Sequence, residues 1–228
     1  MRFNYNFFYM GLYLIFERRK SIQLFAIISS VIVFIAFLIQ HFLFTKNIYL
    51  QSLGDQFSIE QMNYFLNSQI KYEYLGYILI ILFNLIKYLS LTLILQMGLY
   101  LRGYEVSSEK VFKVVIISDF VFTFPLIIKF VYFYFFSLTY SLEDVQFSSP
   151  LSCLSIFSVH SISKLWLYPL QLFSLFEVLY WCVLSVGLSK LIKSNFSKAF
   201  QIVLTSYFPA LVIWIIFIMF LTVTLNPA

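Results

Sequence analysis

The residues with the most chemistry in this sequence are four charges set inside otherwise apolar stretches: Lys87, Asp119, Lys129 and Glu177. A charge in such a place is costly in lipid, so it faces an opposite charge, a polar group or water. Counting from the predicted helix ends puts Lys129 and Glu177 at a shared depth of about 12–14 Å. They stand on different segments, and an ion pair between them is the first expectation. Lys87 lies deeper, about 20 Å from its helix end, and competes for Glu177. Asn84, three residues earlier, shares the face of Lys87. Asp119 lies about one and a half turns into its segment, within reach of Lys113 or Lys198. Such charges either fix helix register as structural pairs, or line a polar pathway, or grip a charged segment of a partner.

Other chemistry is sparse. The chain has no Gly-x-Ser-x-Gly elbow, no His-Glu-x-x-His zinc helix and no phosphate-binding loop, so an enzyme is not expected. His41 and His160 lack metal-ligand spacing, and no metal or other cofactor is expected. Cys153 falls in a predicted connection and Cys182 inside a predicted span, so both are read as unpaired thiols.

The elements that must position these residues follow from composition. Of 228 residues, 61% are apolar and 11% charged, with 29 Phe and 17 Tyr. An ordinary soluble domain carries about 25% charged residues. That difference excludes a soluble enzyme, a disordered chain and a disulfide scaffold. Five segments are long and apolar enough to span a bilayer, near 21–44, 74–101, 113–138, 169–191 and 200–225. They are too long and too evenly apolar for barrel strands. The expected fold is all-α, a polytopic transmembrane helical bundle over 21–228, preceded by an interfacial segment over 1–20.

Lys and Arg set the orientation. Arg2, Arg18, Arg19, Lys20, Arg102, Lys110, Lys113, Lys190, Lys193 and Lys198 fall on one side. The opposite connections hold only Lys46, Lys71 and Lys164, against Asp55, Glu60, Glu73, Glu143 and Asp144. The N-terminus is therefore expected in the cytoplasm and the C-terminus outside. The net charge of +5 reflects topology, and no nucleic-acid partner is expected. In the first segment the basic cluster Arg18-Arg19-Lys20 follows the apolar run Phe7–Phe16, the reverse of a cleavable signal. It reads as a lipid-facing anchor at the membrane surface.

Two hairpins share a pattern. Lys110, Phe112, Val115 and Ser118 recur as Lys198, Phe200, Val203 and Ser206, and Gly98 matches Gly187 with a single-residue gap. Each unit is an apolar span, a glycine, a short basic loop and a second span holding Pro125 or Pro209. Both units run in the same sense, which predicts a parallel repeat about an axis along the membrane normal. The prolines are expected to kink their helices or act as hinges. The glycines are expected to allow close helix packing.

The residues Tyr180-Trp181-Cys182-Val183-Leu184-Ser185-Val186-Gly187-Leu188, then Ser197-Lys198-Ala199-Phe200-Gln201-Ile202-Val203 and Tyr207-Phe208-Pro209-Ala210-Leu211, resemble the bacterial branch of the Yip1 family. The resemblance is strongest over about 169–225 and fades over the first half of the chain. It implies five spans, a cytoplasmic N-terminus and a membrane address rather than a reaction. The expected function is a non-enzymatic assembly partner or scaffold in a complex of the bacterial inner membrane. Its partners would be the lipid bilayer and other integral membrane or periplasmic proteins, with homo-oligomers open. The alternative is a small-solute transporter, channel or permease subunit using the intramembrane charges.

Overall fold

The structure, a computed structural model, describes residues 20–54, 57–137 and 139–225. Arg18 and Arg19 lie outside the described residues; Lys20 is exposed and opens the first helix. The described residues form helices α1 (Ser21–Leu43), α2 (Lys46–Leu53), α3 (Ile59–Tyr100), α4 (Ser108–Asp119) and α5 (Thr123–Val131). These are followed by α6 (Leu142–Phe147), α7 (Lys164–Leu172), α8 (Leu175–Leu191) and α9 (Phe196–Leu225). Among the described residues, four stretches are long and apolar enough to cross a membrane: Ser21–Leu43, Glu60–Tyr100, Ser108–Phe136 and Phe196–Leu225. The all-helical expectation therefore stands.

Several boundaries differ from the sequence reading, each for a local reason. Helix α3 begins at Ile59, not near residue 74. Ser58 and Gln61 form a reciprocal capping box: Ser58 Oγ accepts from the Gln61 amide at 3.3 Å and Gln61 Oε1 from the Ser58 amide at 3.0 Å. At 42 residues the helix is about 63 Å long, twice the hydrocarbon thickness. Its polar first third projects beyond the apolar part.

The third expected span starts early, at Ser108, and is not one α-helix. Residues Phe120–Phe122 tighten into a 3-10 turn before α5 resumes at Thr123. Pro125 lacks an amide proton and its ring crowds the carbonyl four residues back, which removes one bond of a regular turn and favours a local tightening there. Within that turn Thr123 Oγ1 donates to the Phe120 carbonyl at 2.7 Å. Pro209, by contrast, lies within α9, which runs unbroken over Phe196–Leu225.

The expected span 169–191 is broken in two. Helix α7 ends at Leu172, the chain extends through Phe173 and Ser174, and α8 starts at Leu175. Backbone bonds close the gap: the Cys153 amide donates to Phe173 O and the Leu175 amide to Leu151 O, both at 2.9 Å. Ser174 Oγ then accepts from the Glu177 amide at 3.2 Å and caps α8. Both cysteines are free, Cys153 exposed and Cys182 half-buried.

The core is a ring of four helices in which α3 packs on α4, α4 on α8, α8 on α9 and α9 back on α3. Helix α1 lies outside this ring along α4, α5 and α3. It buries Leu24, Ile28 and Ile35. The loops at 101–107 and 192–195 join the paired helices at one end of the ring, called here the loop end. Both helices entering them stop in the same way. Tyr104 N donates to Leu99 O at 3.0 Å past Gly103, whose φ is 77°, and Ser194 N donates to Ser189 O at 3.0 Å past Lys193, whose φ is 50°. These are Schellman-type ends with a left-handed residue. The small helices α2, α6 and α7 close the opposite, cap end.

Gly98 meets the packing expectation. A Cβ built there would run into Ser206 Oγ and lie 2.8 Å from Ser206 Cβ, so α3 and α9 touch nearly backbone to backbone. Gly187 is buried within α8. Gly98→Ala is expected to destabilise the fold by about 1–3 kcal/mol through overpacking. Ser206→Gly in the same chain should recover most of the loss. Unfolding of the detergent-solubilised protein measures both.

Candidate functional site

The ring encloses one polar cluster, contributed by all four helices. Asp119 ends α4 with 1% of its surface exposed. Its Oδ1 accepts from Lys87 Nζ at 2.7 Å and its Oδ2 from the Tyr88 hydroxyl at 2.7 Å. The Lys87 ammonium also lies 5.1 Å from the Tyr88 ring centroid and 5.7 Å from that of Phe122. On the other pair of helices, Glu177 Oε1 accepts from the Tyr207 hydroxyl at 2.7 Å and from Trp181 Nε1 at 2.8 Å. Tyr180 stands between the two halves, its ring 5.1 Å from Phe122 and 5.6 Å from Tyr207. Its buried hydroxyl has no hydrogen-bond partner among the described residues, and neither has that of Ser118.

Helix lengths place the cluster at one level. At 1.5 Å per residue, Tyr88, Asp119, Glu177 and Tyr207 lie about 16–21 Å from the loop-end termini of their helices. A hydrocarbon core of about 30 Å puts that level near its middle. The early start of α4 explains why Asp119 lies deeper than its sequence position implied. It meets Lys87 instead of Lys113 or Lys198, and Lys113 pairs with Glu109 at 3.3 Å.

The expected Lys129–Glu177 pair does not form. The break at Phe173–Ser174 makes Glu177 the third residue of α8, and its carboxylate is taken up by Trp181 and Tyr207. Lys129, half-buried on α5, has no ion pair or hydrogen bond among the described residues. Asn84 is half-buried beside Lys87, likewise with no hydrogen bond there. Lys87 and Asp119 are thus brought together, Glu177 joins them from the facing helices, and Lys129 stays apart.

The cluster presents donors matched to acceptors. It holds no activated nucleophile beside a base, and no grouping of three or more His, Cys, Asp or Glu fit to hold a metal occurs among the described residues. Its hydrogen bonds join α3 to α4 and α8 to α9, and the ring of Tyr180 packs the two pairs against each other. Interhelical hydrogen bonds in membranes contribute about 0.6 kcal/mol each on average and up to roughly 1.7. A separate cavity of about 1100 Å³ opens at the cap end, lined by Ser52, Asp144, Lys164, Tyr168 and Gln171 among others. Neither Glu177 nor Lys129 lines it.

Attention to charged residues missed the neutral half of this site: Tyr88, Tyr180, Trp181 and Tyr207. The signal was available in the spacing of Glu177 and Trp181, one helical turn apart, and in Ser174-x-x-Glu177, a helix-start signature. Together the fold and this core define an all-helical, membrane-embedded protein. No family model matches the chain, and neither a curated protein nor a solved structure matches it.

Proposed function

We propose that this chain is a non-enzymatic integral membrane protein that serves as an assembly partner or scaffold in a membrane complex. The observation that carries this reading is that three of the four intramembrane charges, all but Lys129, are engaged within the bundle. Asp119 takes Lys87 and Tyr88, and Glu177 takes Trp181 and Tyr207. They hold helices together and leave little for a moving solute, which disfavours the transporter reading. The outer surfaces, meanwhile, are broad and apolar. In the most apolar window of each candidate span only 11–44% of residues are buried, so wide flanks are left for lipid and for other membrane helices.

In this reading α8 is a fifth span. Its 17 residues reach about 26 Å, and α7 rides at the interface beyond it. The loop end, which carries Arg102, Lys110, Lys193 and Lys198, faces the cytoplasm of a bacterial inner membrane, and the C-terminus lies outside. The chain is a Yip1-like bundle of two repeated hairpins. Two correspondences support the repeat. Tyr88 stands ten residues before Gly98 as Glu177 stands ten before Gly187. Asp119 stands nine after Lys110 as Tyr207 stands nine after Lys198. Each hairpin therefore carries one tyrosine–carboxylate clamp at the same place, with the two roles exchanged. The buried sets also correspond: Leu95, Leu99, Val111, Val114 and Val115 against Leu184, Leu188, Ala199, Ile202 and Val203.

The test is purification in native-lipid particles with mass spectrometry of what accompanies the chain. A second polypeptide at fixed stoichiometry is expected. The chain alone, in one or several copies, would overturn the assembly reading. A C-terminal reporter found active only in the cytoplasm would sink the five-span orientation.

A further inference from the structure

The two carboxyl groups of the core are bonded in different patterns, and the difference concerns their charge. Asp119 uses both oxygens, Oδ1 for the Lys87 ammonium and Oδ2 for the Tyr88 hydroxyl, each at 2.7 Å. An ionised carboxylate accepts through either oxygen in this way. Glu177 takes both of its side-chain donors on a single oxygen. The Tyr207 hydroxyl and Trp181 Nε1 both donate to Oε1, at 2.7 and 2.8 Å, and no donor among the described residues meets Oε2. A protonated carboxyl has this shape, with a carbonyl oxygen that accepts twice and a second oxygen that carries the hydrogen. Three residues on, Tyr180 shares the face of Glu177, and its buried hydroxyl is an unused acceptor.

The balance of charge points the same way. The core holds one ammonium and two carboxyl groups, and the ammonium of Lys87 is bonded to Asp119. Glu177 is 5% exposed, and both of its donors are neutral. The titratable groups around it are Tyr207 on α9, Tyr180 on its own helix, Asp119 on α4, Lys87 on α3 and Tyr168 on α7. Lys87 is the one cation among them, and Asp119 adds a second negative charge. A buried carboxylate without a cation of its own is so costly that the group takes up a proton instead.

We propose that Glu177 is a proton-binding site, occupied at neutral pH, so that α8 and α9 are joined through a neutral carboxylic acid whose Oε2 carries the hydrogen. The burial behind this lies inside the bundle, so the inference goes beyond the assembly reading and does not depend on it. The bound proton is then part of the fold. Its removal leaves a charge facing a tyrosine hydroxyl and an indole, with no cation bonded to it.

The experiment is infrared spectroscopy of the full chain in a maltoside detergent, which has no ester carbonyl to overlap the acid band. At neutral pH the native protein is expected to show the carbonyl stretch of a protonated carboxyl, and Glu177→Gln is expected to lose it. Absence of the band from the native protein overturns the proposal, and that result requires no variant to fold. A band that survives Glu177→Gln places the proton elsewhere and overturns it too. A carboxylate held by a sodium ion instead would give no acid band and would respond to sodium concentration, again overturning it. Unfolding supplies a second readout with a fixed sign. Glutamate in an unfolded chain ionises near pH 4.3, about its ordinary value, so a proton held on Glu177 at neutral pH is released on unfolding. The folded chain then binds more protons than the unfolded one, and stability falls as pH rises between about 5 and about 8. Glu177→Gln keeps the acceptor at Oε1 and puts an amide donor in place of the O–H, so it serves as the neutral reference. Relative to that variant, the native unfolding equilibrium constant is expected to rise about tenfold per pH unit while the proton is held. Equal pH dependence in the two proteins overturns the proposal.

Discussion

Replacing Asp119 with leucine should destabilise the bundle by about 3 kcal/mol, the low end of the range for breaking a buried ion pair from one side, because Asp119 is buried while the Lys87 side chain is 40% exposed. The loss is large because two groups are orphaned at once. Lys87 loses its counter-charge near the middle of the membrane, and the Tyr88 hydroxyl, on a residue with 0% exposure, loses its acceptor. Lys87→Met in the same chain should restore a substantial part of the stability, because a matched apolar pair removes the unpaired charge as well as the attraction. Adding Tyr88→Phe should recover more, since it removes the other group that the loss of Asp119 leaves without a partner. Reversible unfolding in mixed micelles orders the three variants. If Asp119→Leu costs nothing, the pair is not holding α3 to α4. If Lys87→Met deepens the loss instead of relieving it, Lys87 has a second role that its bond to Asp119 does not describe.

The sequence revealed this architecture unevenly, and the reasons are local. Apolar run length located the four helical stretches long enough to cross a membrane, because bilayer thickness imposes a length that composition displays directly. It could not locate helix ends. Polar but helix-competent residues, as in Glu60–Glu73, extend a helix without changing hydropathy, and the capping box at Ser58 was the only marker of the true start of α3. Residues 169–191 looked continuous because Phe173 and Ser174 are as compatible with a span as with a break. What decided it was Ser174 capping at Glu177 together with a backbone pairing to Leu151 and Cys153, a contact across the chain that no local pattern records. That break moved Glu177 away from Lys129 and into the reach of Tyr207. The core pairings then followed from depth and azimuth together. Depth was readable to about a turn, and azimuth was not, because α3 is apolar on every side over much of its length.

Exchanging one clamp in place is expected to be tolerated where either single change is not. In the first hairpin α3 gives the tyrosine and α4 the carboxylate; in the second, α8 gives the carboxylate and α9 the tyrosine. The double variant Tyr88→Glu with Asp119→Tyr converts the first arrangement into the second. Tyr88→Glu alone sets two carboxylates near one lysine and should lose about 3 kcal/mol or more through an uncompensated buried charge. Asp119→Tyr alone faces one tyrosine with another and leaves Lys87 without its anion, with a loss of similar size. Together they rebuild a tyrosine–carboxylate bond, and the new glutamate sits next to Lys87 in the chain. The coupling between the two changes, read from a double-mutant cycle, should therefore be favourable by about 1–3 kcal/mol, the scale of directly interacting residues. Additive losses would mean that the correspondence of Tyr88 with Glu177 and of Asp119 with Tyr207 is only one of spacing. A favourable coupling would mean that the polar core is one device used twice, with hydrogen-bond direction free to run either way between neighbouring helices so long as one donor meets one acceptor at mid-membrane.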